Sequence, residues 1–450
     1  MLNYIWLGLI VCAVLIGGVT GHMKEVSDGA FTMAKTAVMD IALPLIGIMA
    51  LWLGIMRLAE KSGMVQLLAR ALRPMMVRLF PDVPAEHPAM GSMLMNMAAN
   101  MLGLSNAATP LGIRAMKDLE SLNPRPGTAS NAMCTFLAIN TSSIQLIPVT
   151  AVGILAVKGS TNPSSIIGTS FLATLCAAIS AIIMVKTLEK LPMFRLPPLT
   201  EEDKKKKSEE TKSEEEAAKA VTVQPMQWWG MIVMGAYFLF FGWLFLSLGF
   251  PEIFGKPAAE DLQKDNPLIR IVKTLSLLSI PMLLSFFPLY AMVRGIKVYE
   301  EFVEGAKEGL QVIIRIIPNL VAILVAIGMF RGAGGINMLT DLLSPMMNRI
   351  HFPPELLPMA LVRPLSGSGT LGIFTELVTR FGPDHLLSRT AATIYGSTET
   401  TFYVLAVYFG SVGIKRTRHA VPAGLVADTV GIIMSVIICR MMFGAAPAAL

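Results

Sequence analysis

The sequence predicts an all-α polytopic membrane protein, with about nine transmembrane helices and two re-entrant helical hairpins arranged in two inverted-topology repeats. Three observations support this fold class: the composition, the length of the apolar stretches, and an order of segments that recurs in the two halves of the chain. Hydrophobic residues make up 54% of the chain and charged residues 15%, and the mean hydropathy is +0.61. Such a composition is too apolar for a water-soluble domain of this length, so lipid is the expected solvent.

Long apolar stretches recur along the whole chain. Each can cross a hydrocarbon core about 30 Å thick. We interpret the first as a retained transmembrane helix and not as a signal peptide, because no basic residue precedes it and no clear A-x-A cleavage pattern follows it. The clearest stretches are Leu2–Val19, Ile41–Met56, Ile166–Val185, Met231–Phe250, Ile271–Val293 and Ala420–Ile438.

The chain divides into several predicted segments. The clearest boundary is Glu201–Lys219, where blocks of alternating charge cannot bury enough apolar surface to fold. The predicted segments are an N-terminal transmembrane helix over 1–29, a first repeat over 30–195, a charged cytoplasmic linker over 196–225, two connecting transmembrane helices over 226–304, and a second repeat over 305–450.

Each half has the same predicted order: a long helix with a proline, a short amphipathic piece, a proline-flanked segment interrupted by polar residues, and two further helices. The first half places these at Met33–Arg57, Met64–Phe80, Pro88–Lys117, Ala129–Val157 and Pro163–Leu188. The second half places them at Gly305–Arg331, Ile336–Ile350, Pro354–Phe381, Arg389–Ile414 and Ala420–Phe443. Each repeat then contributes about three crossings, and because two helices separate the repeats, the second is inverted.

Lysine and arginine lie mainly in alternate loops, which indicates the orientation of the chain. The opposite loops, including one predicted over His22–Lys35, are poorer in positive charge. This bias predicts a multi-pass protein of the bacterial inner (plasma) membrane, with the N-terminus in the cytoplasm and the C-terminus outside. The basic stretches are Arg57–Arg78, Arg114–Arg125, Lys204–Lys207, Arg294–Lys307 and Lys415–Arg418.

The two interrupted segments are predicted to line a wet cavity, because lipid does not tolerate unpaired backbone groups. In the first, Asn100 and Asn106 lie among apolar residues and Gly103 weakens the helix. In the second, the run Ser366–Gly369 follows Arg363, and its glycines are expected to provide positive φ or close backbone approach before a new helix begins near Leu371. The alternative is a small-residue contact between helices.

Two polar clusters lie in the helices that follow. One contains Asn140, Ser142 and Gln145 in a helix that Pro148 is expected to break, and its counterpart contains Thr398 and Glu399. Hydroxyl and amide groups can simply bond helices together. Their recurrence at matching places favours a binding site.

Glu399 is the most informative single residue, because a carboxylate at membrane depth usually faces a cavity and a partner. Three roles are open: a proton-coupling group, a ligand for a cation or an amine, or an ion-pair partner of Arg363. A coupling proton or sodium ion is therefore compatible with the sequence, and no other cofactor is indicated.

Several classes of function find no support. The basic residues do not collect on one domain, so nucleic acid is not an expected partner. The four cysteines and the loop histidines lack metal-ligand spacing, and no nucleophile arrangement or phosphate loop is present, so neither a metal site nor an enzyme is predicted. The expected partners are the lipid bilayer and a small polar solute, and a homo-oligomer stays open.

Long motifs in both halves resemble a known family. The first half contains NMAANMLGLSNAATPLGIRAMKDLESLNP and FLAINTSSIQLIP, which are similar to spore maturation protein A. The second half contains LLPMALVRPLSGSGTLGI and IYGSTETTFYVLAVYFGSVGIKRTRHA, which are similar to spore maturation protein B. The resemblance covers nearly the whole chain except the linker, so the sequence resembles a fused form of the two.

Both are grouped with nucleoside-recognition, or Gate, domains, which resemble concentrative nucleoside transporters. The resemblance implies an interfacial helix, a re-entrant hairpin and two helices that repeat with inverted topology, with a site between hairpin tips and broken helices. The hairpin tips here lack the Gln/Asn/Glu/Thr-type residues associated with nucleoside transporters. The expected substrate-binding residues are Asn100, Asn106, Asn140, Ser142, Gln145, Arg363, Ser366, Ser368, Ser397, Thr398 and Glu399.

The preferred functional hypothesis is a secondary transporter of a small polar solute, working by alternating access and coupled to protons or sodium. The rival hypotheses are a non-transporting membrane scaffold and a ligand sensor, both associated with the envelope or with spore maturation. Polar residues clustered at the midplane favour transport, because a scaffold would tolerate their loss.

Overall fold

A computed structural model describes residues 2–103, 105–194, 228–255, 257, 267–336, 338, 342 and 352–444. Throughout these residues the secondary structure is helical, apart from one isolated bridge between Thr128 and Arg416. The predicted all-α class is therefore confirmed. The predicted linker over 196–225, and most of the amphipathic piece predicted over Ile336–Ile350, lie outside the described residues.

The first half contains nine helices within its described residues. A π-helical segment, Thr36–Ala42, joins α2 to α3 without a turn. The stretch His22–Lys35 was predicted as a loop, and this was wrong: α2 occupies it and packs along a helix of the second half. The helices are α1 (Leu2–Thr20), α2 (Met23–Lys35), α3 (Leu43–Lys61), α4 (Met64–Leu79), α5 (Pro88–Met101), α6 (Ser105–Ser121), α7 (Asn131–Ser142), α8 (Val149–Val157) and α9 (Ile166–Leu188).

The rest of the described chain follows a similar order. Two helices, α10 and α11, come first, and a helix of 35 residues, α12, continues through Pro318 without ending. The helices are α10 (Trp228–Gly249), α11 (Pro267–Val293), α12 (Val298–Gly332), α13 (Leu357–Val362), α14 (Gly367–Phe381), α15 (Leu386–Ser397), α16 (Thr401–Ser411) and α17 (Ala420–Phe443).

Four helical stretches among the described residues are long and apolar enough to cross a membrane: Met23–Lys61, Pro163–Leu188, Trp228–Gly249 and Ala420–Phe443. Shorter apolar helices accompany them. Only 6% of the most apolar stretch of α10 is buried inside the protein, so the rest of this stretch forms an apolar surface suited to lipid. The chain is a multi-pass membrane protein, and the total of about nine crossings stays a prediction.

The long helices of the two halves pack against each other through glycines. A Cβ atom added at Gly309 of α12 would lie 2.7 Å from the backbone nitrogen of Ala50 in α3, so only glycine fits this contact. At the end of the same interface, Arg57 forms ion pairs with Glu301 at 2.7 Å and Glu308 at 2.8 Å. This contact joins the halves along one side.

The last helices of each half interlock. Helix α9 packs on α17, α7 packs on α17, and α15 packs on α9. Within each half, α7 also packs on α9, and α15 on α17. Each of these helices in one half therefore has a counterpart in the other with corresponding neighbours.

Two loop contacts close this group of helices at its ends. At one end, Asp384 accepts hydrogen bonds from the Ser160 hydroxyl at 2.6 Å and from the Thr161 N–H at 2.9 Å, and it pairs with Arg389. At the other, Lys415 and Arg416 donate backbone N–H groups to the Gly127 carbonyl. The first loop contact thus depends on the Asp384 carboxylate, and the second on backbone hydrogen bonds to Gly127.

Candidate solute cavity

The first broken helix consists of α7 and α8. Helix α7 ends where Ser143 takes a left-handed conformation, with φ of 33°, and α8 begins after Pro148. The Thr174 hydroxyl of α9 donates to the carbonyls of Ser142 at 2.7 Å and Ser143 at 3.1 Å. These bonds satisfy carbonyl groups that the end of α7 would otherwise leave unpaired. We call residues 143–148 break 1.

The second broken helix consists of α15 and α16. Thr398 and Thr400 are extended, and Glu399 lies between them. Neither proline nor glycine occurs at this point, so the tertiary contacts around it hold the chain open. We call residues 398–400 break 2.

Each break is bonded to the tip of a helical hairpin. Helices α5 and α6 fold back on each other through a turn at Gly103, and the Met101 carbonyl accepts the N–H of Leu146 at 3.0 Å. Helices α13 and α14 join through a turn at residues 363–365, and the Pro364 carbonyl accepts the N–H of Phe402, also at 3.0 Å. The two halves thus use the same bond between tip and broken helix.

Break 2 also contacts the last turn of α7, next to break 1. The Glu399 N–H donates to the Thr141 carbonyl at 2.7 Å. Helix α15 comes close to break 1 because Gly396 has no side chain: a Cβ atom there would lie 2.5 Å from the Cβ atom of Pro148. Both hairpin tips and both breaks therefore converge on one place.

A cavity of about 80 Å³ opens at this junction. A volume of roughly 10–15 Å³ on the same scale holds one water molecule, so this cavity has room for several waters or a small solute. The residues that line it are Gly103, Gln145, Ile147, Pro148, Val149, Thr150, Ala151, Arg363, Gly367, Tyr395, Gly396 and Glu399.

Two charged side chains face the cavity. The Arg363 side chain is 2% exposed; it donates to the Tyr395 carbonyl at 3.1 Å and to the Thr398 hydroxyl at 3.3 Å, and it lies 5.1 Å from the centre of the Tyr395 ring. The Glu399 carboxylate is half-buried and has no hydrogen-bond partner among the residues that the structure describes. The two residues do not form an ion pair, so the ion-pair role considered for Glu399 is not seen in the structure. Glu399 is free to bind a solute or an ion.

An amide network lies on the other side of break 1. The Asn100 side-chain N–H donates to the Asn140 oxygen at 2.8 Å, and the Tyr408 hydroxyl approaches the same oxygen at 3.5 Å. Asn96 donates to the Ala108 carbonyl at 2.7 Å and to the Tyr408 hydroxyl at 3.4 Å. A cavity of only about 10 Å³ borders this network, so its polar groups chiefly bind one another.

Comparisons with known proteins identify the family. A family model described as nucleoside recognition, or Gate, matches residues 42–158 and 313–415. Spore maturation protein B of Bacillus subtilis (strain 168) is 45% identical over 178 residues, which are 40% of this chain and 100% of that protein. Spore maturation protein A of the same organism is 44% identical over 184 residues, 41% of this chain and 93% of that protein.

The chain belongs to the spore maturation protein A and B family. Full-length similarity to two separate proteins, each covering about 40% of this chain, is consistent with a fusion of both. Every residue that lines the larger cavity lies inside one of the two segments matched by the Gate model. The cavity is therefore a feature of the Gate segments themselves.

Only some of the predicted substrate-binding residues lie at the cavity of about 80 Å³. Gln145, Arg363 and Glu399 line it, and Thr398 contacts it through Arg363. Asn100 and Asn140 belong to the amide network. The side chain of Asn106 lies outside the described residues.

The four predicted serines form hydrogen bonds within their own segments of the chain. Ser142 and Ser397 donate to carbonyls of their own helices, Ile139 at 2.9 Å and Ile394 at 3.1 Å. Ser366 accepts the Gly369 N–H at 3.0 Å and so begins α14, and its hydroxyl lies 3.4 Å from that of Ser368. None of the four lines the cavity.

Helix α14 therefore begins at Gly367, four residues before the predicted start near Leu371. Gly367 and Gly369 do not have positive φ, so of the two expected reasons for glycine the second, close approach, applies. Close approach is the reason for glycine at both positions: a Cβ atom at Gly367 would lie 3.2 Å from the Thr400 hydroxyl, and one at Gly369 would lie 3.0 Å from Val362.

The sequence argument missed Asp428, which is 1% exposed in α17. One of its carboxylate oxygens accepts the Thr401 hydroxyl at 2.5 Å, beside break 2. A single carboxylate in an otherwise apolar 24-residue helix was the available signal.

Proposed function

We propose that this Gate-domain protein is a secondary transporter of a small polar solute, and that the cavity between the two breaks is its solute site. The observation that carries the proposal is the convergence of both hairpin tips and both broken helices on one cavity with an unpartnered carboxylate. Discontinuous helices that meet at membrane depth are typical of transporter sites. A purely structural junction would not keep an unpartnered carboxylate at this place.

Corresponding contacts in the two halves support an inverted repeat. The bonds Leu146 to Met101 and Phe402 to Pro364 have the same length, and each joins a broken helix to the tip of the hairpin in its own half. The packing of α7 on α17 and of α15 on α9 adds a second correspondence. With about nine crossings and an N-terminus in the cytoplasm of an inner membrane, the second repeat would oppose the first, and their relative motion would alternate access to the cavity.

The chemistry of the lining favours a solute with hydrogen-bond donors. Glu399 offers acceptors only, Gln145 offers both donors and acceptors, and the buried Arg363 guanidinium already binds two protein oxygens. An amine-bearing or hydroxyl-bearing solute would complement this set. A nucleoside, which the description of the family model suggests, would need the cavity to open beyond its present volume.

The test is ligand binding followed by uptake. The purified protein would be screened by thermal shift against uridine, adenosine, free nucleobases, amino acids and amino sugars, and any compound that binds would be offered to reconstituted vesicles as a radiolabelled solute. We expect saturable uptake that Glu399→Gln and Gln145→Leu each reduce at least about tenfold, which corresponds to roughly 1.4 kcal/mol of lost binding. Glu252→Gln serves as the matched control, because Glu252 is a half-exposed residue in the turn after α10, paired with Arg270 and far along the chain from both breaks.

Binding without uptake would contradict transport and favour a ligand sensor. Neither binding nor uptake across the panel, with unchanged thermal stability in both cavity variants, would favour a membrane scaffold.

A further inference from the structure

Two carboxylates are buried among the side chains that the structure describes, and they differ in their partners. Glu376 of α14 forms an ion pair with Arg331 of α12 at 2.7 Å. Asp428 has no ion pair: its Oδ2 atom accepts the Thr401 hydroxyl, and its Oδ1 atom is fully buried without a partner. An ionised carboxylate in a low-dielectric interior requires more compensation than one hydroxyl provides.

A second unsatisfied group lies beside Asp428. The Thr141 hydroxyl is fully buried without a hydrogen-bond partner. A Cβ atom at Gly424 of α17, one helical turn before Asp428, would lie 3.4 Å from the Thr141 hydroxyl and 3.2 Å from the Thr401 hydroxyl. The ends of both broken helices therefore place hydroxyl groups on the face of α17 that carries Asp428.

The charges around Asp428 do not balance. The ionisable side chains that act on it are Arg363 from the second hairpin and Glu399 from break 2, together with the hydroxyls of Thr401 and Thr398. Helices α7 and α16 carry no charged residue, α9 carries only Lys186 in its last turn, and α15 carries only Arg389 in its first turn. One guanidinium thus faces two carboxylates, which leaves one excess negative charge when both are ionised.

We propose that Asp428 binds a proton at a site behind the solute cavity, and that this proton is the coupling ion of the transporter. The proton comes from water on one side of the membrane, converts the Asp428 carboxylate to a neutral acid, and leaves to water on the other side. Binding removes the excess charge and the need for further donors at Oδ1.

The proton is preferred over sodium because of the space at Asp428. Asp428 lines neither of the two cavities at break 1. A bare sodium ion would need several oxygen ligands around it, by analogy with the six to eight that calcium takes. The side-chain oxygens that the structure places beside Asp428 are the hydroxyls of Thr401, Thr141 and Thr398, and Asp428 lines neither cavity in which they could surround an ion.

The state of Asp428 can be transmitted to the solute site. Thr398 lies between the two: its hydroxyl accepts the Arg363 guanidinium at 3.3 Å, and its methyl group packs on α17 at Gly431, where a Cβ atom would lie 2.5 Å from it. Arg363 in turn forms part of the cavity wall beside Glu399. Ionisation of Asp428 attracts the guanidinium, and protonation releases it, so one proton changes the charge that Glu399 and the solute experience.

The test measures the proton directly and needs no solute. Infrared spectra of the protein in lipid, at about pH 7, would be searched for the C=O stretching band of a protonated carboxylic acid, since an ordinary aspartate is ionised at that pH. We expect this band in the natural protein, its loss in Asp428→Asn, and its retention in the control Glu252→Gln. Labelling all aspartates with ¹³C at the carboxyl group should shift the band, which assigns it to an aspartic acid even if Asp428→Asn does not fold.

Several results would overturn the proposal. These are the absence of the band, its persistence in folded Asp428→Asn, or no shift on aspartate labelling. A band that appears only when sodium is replaced by a large organic cation would show a sodium site instead. The coupling role rests on the proposed transport function, but the proton site does not. If the protein shows the band and carries no solute in the uptake experiment, transport is refuted and the proton site on Asp428 stands.

Discussion

The two breaks have the same backbone arrangement and different chemistry. In each, an N–H within or just beyond the break, that of Leu146 or of Phe402, donates to a hairpin-tip carbonyl at 3.0 Å. Around break 1 the polar side chains are amides that bind one another, as Asn100 binds Asn140. Around break 2 they are charged: Arg363, Glu399 and Asp428.

This difference separates two tasks. The shared backbone bonds fix where the cavity forms, and they do not depend on which side chains surround them. The charges lie on one side only, so recognition of an ion or a polar solute depends mainly on the second half. The comparison predicts that changes of the charged residues around break 2 alter binding as well as stability, whereas changes in the amide network beside break 1 alter mainly stability.

The largest loss of stability is expected for Arg363→Met. The change removes the buried guanidinium with its two hydrogen bonds and its stacking on Tyr395, and it leaves Asp428 without a nearby cation. We expect a loss of about 3 kcal/mol in the free energy of unfolding. Thermal unfolding in lipid nanodiscs measures it, and Arg114→Met, at a side chain 40% exposed, is the matched control.

A smaller loss is expected for Asn140→Leu at break 1. Leucine keeps the volume but removes the acceptor of Asn100 and the donor to the Phe136 carbonyl. The expected cost is about 1–2 kcal/mol, because Asn100 borders a small cavity and is not sealed off completely. If Asn140→Leu destabilises the protein as much as Arg363→Met, the two breaks do not differ in their contribution to the free energy of unfolding.

The two loop contacts offer a smaller, pH-dependent comparison. Burial tends to raise the pKa of the Asp384 carboxyl, but hydrogen bonds from Ser160, Thr161 and Arg389 outweigh it and lower the pKa from 3.8 to about 2. Because the folded pKa lies below the unfolded value, Asp384 adds stability above about pH 4, and this contribution disappears as the pH falls towards 2.

Asp384→Ala should therefore cost about 1 kcal/mol at neutral pH, after allowance for the solvent exposure of the pair, and less as the pH approaches 3. Unfolding curves at both pH values test this, with the exposed Asp82→Ala as control. A cost that does not change with pH would show that the contact works by shape alone.

The sequence predicted the long, periodic elements better than the site. Helix α17 spans Ala420–Phe443 as expected, and α4 ends within one residue of its predicted end, because each is bounded by clear proline, glycine or charge signals. The helical order in each half was also visible from polarity and proline positions alone.

Tertiary contacts account for the parts that the sequence did not reveal. Break 2 contains no helix-breaking residue, and it opens because Glu399 and Phe402 donate their N–H groups to Thr141 and Pro364. Helix α2 looks like a loop by polarity but is held against α12, where Gly29 faces Gly328. Serines that seemed suited to a ligand instead complete their own helices, as Ser366 does for α14.

The smallest effect on stability is expected for Glu399→Gln, although the same change should have a large effect on binding. The carboxylate has no protein partner and faces the cavity, so the amide that replaces it leaves no group newly unsatisfied. We expect a change within about 0.5 kcal/mol, as for a surface substitution. The variant also tests the geometry through a double-mutant cycle with Arg363→Met. If the two side chains act separately, as their lack of an ion pair indicates, the loss in the double variant should equal the sum of the single losses within about 0.5 kcal/mol. A double variant that recovers most of the stability lost in Arg363→Met would show that Glu399 and Arg363 do pair in the membrane. The unpartnered carboxylate on which the solute site rests would then be engaged by the protein itself.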